Sequence, residues 1–223
     1  MVAVEIIELL KEKSNPVYLA GMKRFGIETS AALGIPIPEL RKLAKLIKRD
    51  HALALALWET NFHEARILAS LIDDPAQVTE TQFNAWVNDF NSWDICDQVC
   101  GNLFDRTPFV IDKAFEFSAR PEEFVKRAGF VLMAEYCMHN KKAGDDIFII
   151  FLQIIEREAC DGRNFVKKAV NWSLRQIGKR NNNLRVYAIE AAERILTNPC
   201  KPAQWIARDA INELKGKASI TNN

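Results

Sequence analysis

Apolar residues recur along this chain at three- and four-residue intervals, the spacing that puts them on one side of a helix. Val2, Ile6, Leu9 and Leu10 form one stripe, predicting a short amphipathic helix that ends near Ser14-Asn15-Pro16. A second segment follows through Met22 and Phe25. The prolines Pro36 and Pro38 interrupt the periodicity, and residues 39–49 resume it with Leu40, Leu43, Ala44 and Ile47 inward. The other face of that segment carries Arg41, Lys42, Lys45, Lys48 and Arg49, which suits either a solvated helix face or a phosphate-contacting one. Residues 52–58 and 63–72 predict two more helices, the second stopped at Asp73-Asp74-Pro75. Thr79 or Thr81 can cap the next, whose apolar side is Phe83, Trp86, Val87 and Phe90. A helix begins again after Asn91. Beyond Pro108 the pattern predicts helices to about Ser118 and then over 122–138, 143–159, 164–178, 182–197 and 202–215. Sustained strand alternation bounded by hairpin turns is absent.

The helices echo one another. Phe124-Val125-Lys126-Arg127-Ala128 returns as Phe165-Val166-Lys167-Lys168-Ala169, an offset of 41 residues that lies in the range of HEAT-type two-helix repeats. The expected fold is therefore all-α, a HEAT-like helical-repeat solenoid (an α-α superhelix) forming a single domain over 1–223. Stacked helix pairs curve, and the concave face of such a solenoid suits a long partner such as a nucleic-acid duplex or a protein segment.

Composition adds little to this until it is mapped. Hydrophobic residues are 48% and charged residues 26% of the chain, ordinary for a globular protein. No run of about 18 apolar residues occurs, and residues 1–10 carry acids rather than the basic start of a signal peptide, so a cytoplasmic protein with no membrane partner is expected. The net charge of +1 forecasts no general affinity for polyanions, but its distribution is uneven. Between Asp50 and Asp105 ten acids face one arginine, Arg66. Between Arg163 and Arg185 lie Lys167, Lys168, Arg175, Lys179 and Arg180 without a single acid, a local basic surface hidden in a near-neutral total. The five cysteines are odd in number and sit in apolar helical patterns, which predicts free thiols in a reducing compartment. Their spacings, and those of His51, His63 and His139, match no zinc motif and no His-Glu-x-x-His site, and no glycine-rich phosphate loop is present. Metal and nucleotide chemistry are accordingly not expected.

The stretch Asn91 to Phe104 carries the candidate chemistry. Read as a helix, it places Trp93 and Asp97 four residues apart, so that an indole face and a carboxylate point the same way. Taken alone, the pair also suits a packing anchor and a solvated acid. Trp172 has a similar dual reading: it is flanked by Ala169, Val170, Ser173, Leu174 and Ile177 as a core residue would be, and by the basic run as a cleft residue would be.

Several separate stretches resemble one family. Leu-Gly-Ile-Pro-Ile-Pro-Glu-Leu-Arg at 33–41, Ser-Trp-Asp-Ile-Cys-Asp at 92–97, Val-Lys-Arg-Ala at 125–128 and Lys-Lys-Ala-Val-Asn-Trp-Ser-Leu-Arg at 167–175 resemble, in order and separation, the AlkD-type DNA alkylation repair glycosylases. The resemblance runs from about Met22 to Thr197. It implies a HEAT-like solenoid that cradles DNA, with Asp97 as the catalytic aspartate, Trp93 and Trp172 as the two tryptophans of the site and Arg127 as the arginine beside the aspartate. Phe25 matches the N-terminal aromatic. Arg175 sits at a basic position, and Lys167, Lys168, Lys179 and Arg180 extend it as DNA-binding residues. Ser92 departs from the pattern, standing where some members have another tryptophan.

The implied activity is a monofunctional DNA glycosylase, with no metal and no cofactor, acting as a monomer on double-stranded DNA that carries N3- or N7-alkylated purines. Such a purine is cationic and leaves as a neutral base. Positive charge then develops on the deoxyribose, where a carboxylate and two indole faces stabilise it. Glycosylases in general flip the base into a pocket; the resembled family leaves it stacked, and the sequence does not decide between the two. Two further readings stay open: a non-catalytic DNA-binding relative that recognises bent, branched or damaged DNA, and a protein-interaction scaffold.

Overall fold

The structure, a computed structural model, describes residues 1–218, with side chains to residue 216. Among the described residues every regular element is a helix, thirteen α-helices and one short 3-10 turn, as the apolar periodicity predicts. Their contacts gather into two compact units, Met1–Thr107 and Pro108–Asn223.

The first unit holds α1 (Ala3–Glu12), α2 (Pro16–Arg24), α3 (Ile37–Ile47), α4 (His51–Trp58), α5 (His63–Ile72), α6 (Glu80–Asn88) and α7 (Trp93–Asn102). Side chains set several starts. Asn15 accepts from the N–H groups of Val17 and Tyr18 ahead of a proline at the first helical position, Asp50 accepts from Leu53 N, and Thr79, not Thr81, accepts from Gln82 N. Helices α3, α5 and α7 pack side by side, with α4 against α5. The core is aromatic: Trp58 stacks on Trp86 at 4.0 Å, and Phe83 on Phe104 at 3.8 Å.

Buried polar groups lock successive layers of this unit together. The Glu64 carboxylate, 1% exposed, accepts from the N–H groups of Leu33, Gly34 and Ile35 at 2.7 to 3.2 Å. Gly34 has φ +76, and a Cβ there would lie 2.4 Å from the Asn15 carbonyl oxygen. The Leu-Gly-Ile-Pro motif is thus a backbone nest closed by a buried acid, with a structural reason of its own.

The second unit pairs α8 (Val110–Ser118) with α9 (Glu123–His139), α10 (Asp145–Glu158) with α11 (Asn164–Arg180), and α12 (Asn182–Leu196) with α13 (Lys201–Ala218). Helices α9, α11 and α13 lie in sequence as neighbours, and the sequence echo becomes a physical contact: Phe124 packs on Phe165 with ring centroids 5.7 Å apart. Gly129 has its own purpose, since a Cβ there would come within 2.4 Å of Ser118 N where α8 and α9 meet.

One expectation about the cysteines is corrected. Cys96, Cys100 and Cys137 are buried thiols outside any disulfide, and burial pushes the Cys137 thiol up to about 11. Cys160 and Cys200 instead form a disulfide. They follow α10 and precede α13, and stacking of consecutive repeats brings their Cα atoms to 5.8 Å across 40 residues of sequence. That separation is close to the 41-residue offset of the sequence echo, so the pairing follows the stacking of the repeats. Among the described residues no helix is long and apolar enough to cross a membrane, and no group of three or more His, Cys, Asp or Glu side chains is placed to hold a metal ion.

Candidate nucleic-acid interface

The candidate residues fall in both units. In the first, the start of α7 is fixed by a polar chain. His63, 4% exposed, places Nε2 2.8 Å from Asp94 Oδ2, and the Ser92 hydroxyl meets Asp94 Oδ1 at 2.6 Å. Burial pushes the Asp94 carboxyl up, but the hydrogen bond and charge of His63, with Ser92 and the Ile95 N–H, outweigh it and hold the group below the ordinary carboxylate range. Ser92 is fully buried in this chain of contacts, so the position where some relatives of the resembled family carry a tryptophan is here a small polar tie.

That anchoring sets the direction of the first two turns of α7. Trp93 is half-buried, and its Nε1 donates to the Phe25 carbonyl oxygen at 3.0 Å. Phe25 caps the C-terminus of α2 and is 71% exposed. The structure thus joins the N-terminal aromatic to the tryptophan through a main-chain bond that no pattern of residue types could announce. Asp97 lies one turn further along α7, half-buried, on the side of the helix that Trp93 occupies. Next to it Gln98, with Asn102, accepts from the Arg41 guanidinium at 3.4 and 3.3 Å.

In the second unit, Arg127 on α9 is buried and donates to the Phe165 carbonyl oxygen at 2.5 Å. Trp172 on α11 is half-buried, and with the Gln176 amide turned to satisfy its neighbours, Gln176 Oε1 accepts from Trp172 Nε1 at 2.7 Å and Lys179 Nζ at 3.2 Å.

The basic run on α11 is largely occupied. Arg175 reaches Asp209 at 3.2 Å and Glu213 at 3.0 Å, and Lys179 reaches Glu213 at 3.3 Å. Arg180 donates to the carbonyl oxygens of Cys137, Asn140 and Ala143 at 2.6 to 3.0 Å and lies over the Phe148 ring, so it ties the end of α9 to α10. The Lys167 ammonium sits 4.7 Å from the centre of the Trp205 ring, whereas Lys168 is exposed. The acids that answer the run lie on α13, outside the acid-free window, and only the packing of α11 on α13 reveals them.

What the first unit offers chemically is a carboxylate and an indole face on consecutive turns of one rigid helix, with an exposed phenyl ring tied to the indole. A carboxylate so placed can stabilise developing positive charge or orient a water, and an indole face attracts a cation. The fold is that of a HEAT-like repeat protein: a solved structure described as a new family of proteins related to the HEAT-like repeat DNA glycosylases, with affinity for branched DNA structures, matches with a TM-score of 0.75 at 19% identity, over 97% of this chain and 95% of that one. The family model for DNA alkylation repair enzymes matches residues 6–214. The chain belongs to that family. A search of curated proteins yields no match.

Proposed function

We propose that the protein is a DNA glycosylase that hydrolyses the bond between deoxyribose and a cationic N3- or N7-alkylated purine in duplex DNA, acting as a monomer without metal or cofactor. The observation that carries this reading is the Trp93 and Asp97 pair on the anchored first turns of α7. The alkylated base leaves with the electrons of its C1′–N bond and becomes neutral, so no general acid is needed. Positive charge passes to the sugar, where the Asp97 carboxylate stabilises it electrostatically and orients the water that attacks C1′. The proton of that water passes to Asp97 or to solvent. The indole of Trp93 offers its electron-rich face to the polarised sugar hydrogens. For the second unit the proposal is that Trp172 presents a further aromatic face to the DNA, with the exposed Lys168 at a phosphate. Arg175 and Lys179 act there through a charge shared with Asp209 and Glu213. The substrate places its work in the compartment that holds genomic DNA.

The test is release of 7-methylguanine and 3-methyladenine from methylated duplex DNA. Wild type should free both above the spontaneous rate, and Asp97→Asn, folded as judged by circular dichroism, should lose that release by roughly two to three orders of magnitude, the scale of removing one electrostatic stabiliser. No release by the wild type ends the enzyme reading.

A second reading is a binding protein for branched or damaged DNA, favoured by the affinity described for the matched solved structure. It expects salt-sensitive binding that Asp97→Asn leaves unchanged or improves by removing a repelling charge.

A further inference from the structure

The basic face of α3 is not used by the chemistry above. Arg41, Lys45, Lys48 and Arg49, with Ala44 and Leu71 as an apolar floor, line a hollow of about 400 Å³ in the first unit. No carboxylate lines it. Arg41 hydrogen-bonds the neutral amides of Gln98 and Asn102, so its charge stays uncompensated. Arg49 has one long contact to Asp74 at 3.4 Å, and Lys42, outside the hollow, pairs with Glu39. Lys45 and Lys48 are exposed, and their ammonium groups meet no hydrogen-bonding or ion-pair partner among the described residues.

Cations near a helix C-terminus are favourable in any case, because they oppose the helix dipole. That account does not cover Lys48. Its backbone has φ +68 and ψ −163, a region that glycine occupies freely and other residues almost never do. The chain leaves α3 at this residue, and the strained turn carries a lysine where a glycine would turn it at no steric cost. Strain of this kind persists only where the surrounding structure holds it, and it gathers at functional sites.

We infer that Arg41, Lys45 and Lys48, assisted by Arg49, form a cradle for consecutive phosphodiesters of one DNA strand, and that Lys48 is kept in its strained conformation for that contact. Positions 41 and 45 lie on one face of α3 and Lys48 caps its end, so the three span roughly 10 Å at about 1.5 Å per residue. One strand of B-DNA rises about 3.4 Å per phosphate while also winding round the axis, so this span meets about two phosphates. Arg41 leans onto Gln98, the neighbour of Asp97, so the cradle abuts the helix that carries the candidate chemistry. The inference rests on the reading that this protein handles DNA, and not on catalysis by Asp97.

The test uses the full-length protein and a short blunt duplex without lesions, read by fluorescence anisotropy across a salt series. Lys45→Ala/Lys48→Ala should weaken binding about tenfold or more at low salt and flatten the slope of log K against log salt by about 2, roughly 0.9 per phosphate released. Lys48→Gly should raise the melting temperature while lowering DNA affinity, a combination that a purely structural lysine would not produce. An unchanged slope in the double variant, or a Lys48→Gly protein that binds DNA like wild type, overturns the cradle, whatever base release shows. Titration with inorganic phosphate alone completes the test. Binding heat that vanishes in the double variant while its DNA affinity stays intact makes this a free-anion pocket and overturns the assignment to DNA. If the double variant flattens the slope but the wild type releases no base, the cradle stands and the glycosylase reading falls.

Discussion

Glu64 shows how a single residue in this protein can do the work of a motif. Its buried carboxylate accepts three backbone N–H groups from Leu33, Gly34 and Ile35, so removing the charge leaves donors without an acceptor inside the first unit. Glu64→Gln should cost about 2–4 kcal/mol of stability, read as a drop in melting temperature, because the amide turns one acceptor into a donor that faces donors. Gly34→Ala should be comparably damaging through its positive φ and the 2.4 Å approach to Asn15 O. At the candidate site the finer test is Trp93→Phe. It keeps an aromatic face but loses the bond to Phe25 O, so it should fold with a loss of about 1 kcal/mol and release alkylated bases more slowly than wild type. A Trp93→Phe protein with undiminished release would remove the indole from the mechanism. The relation of Trp93 to Asp97 is legible in the sequence because both belong to one helix with a fixed pitch. Phe25 is not, since it reaches Trp93 across 68 residues through a main-chain oxygen.

At the scale of elements, the second unit is held by contacts between equivalent parts of consecutive repeats. Asp161, in the turn before α11, pairs with Arg163 at 2.6 Å and Lys126 at 3.3 Å. Burial pushes its carboxyl up, yet these partners overcome it and bring the group to about 2, against an ordinary value of 3.8. A depressed carboxylate stabilises the fold fully above its unfolded pKa and loses that contribution as pH falls through the folded one. The unit should therefore lose up to about 2 kcal/mol between about pH 4 and pH 2, after allowance for solvent screening. Asp161→Asn should show a lower melting temperature at neutral pH and a shallower decline over that acid range. The Cys160–Cys200 disulfide joins the turns that follow α10 and precede α13. Cutting it with reductant, or replacing both cysteines by serine, should cost up to about 4 kcal/mol, the loop-closure scale for a separation of 40 residues, visible as earlier thermal unfolding. Equal unfolding curves with and without reductant would show that the link contributes nothing. The helices themselves are readable from apolar spacing and caps to within a few residues, because each is specified by side chains close in sequence.

For the molecule as a whole, a net charge of +1 gives no long-range pull toward DNA, so affinity has to come from local cations, chiefly those that no acid of the fold has claimed. Arg180 is claimed by three carbonyl groups, and Arg180→Ala should lower stability more than DNA affinity, measured by melting and by anisotropy on the same preparation. Lys168→Ala should do the reverse. What the sequence by itself determined is the helical character, the repeat echo and the family, because these are written in residues a turn or one short motif apart. Tertiary structure alone decided which cations remain open, which cysteines pair, and that the acids of α13 answer the basic run of α11. Ion pairs, disulfides and hydrogen bonds act over a few ångströms of space, and stacking repeats makes near neighbours of residues some forty positions apart. For the same reason the α3 face, one of two alternatives in the sequence, gains its sharper reading from two lysine ammonium groups, Lys45 and Lys48, that meet no acid among the described residues, and from the strained backbone of Lys48.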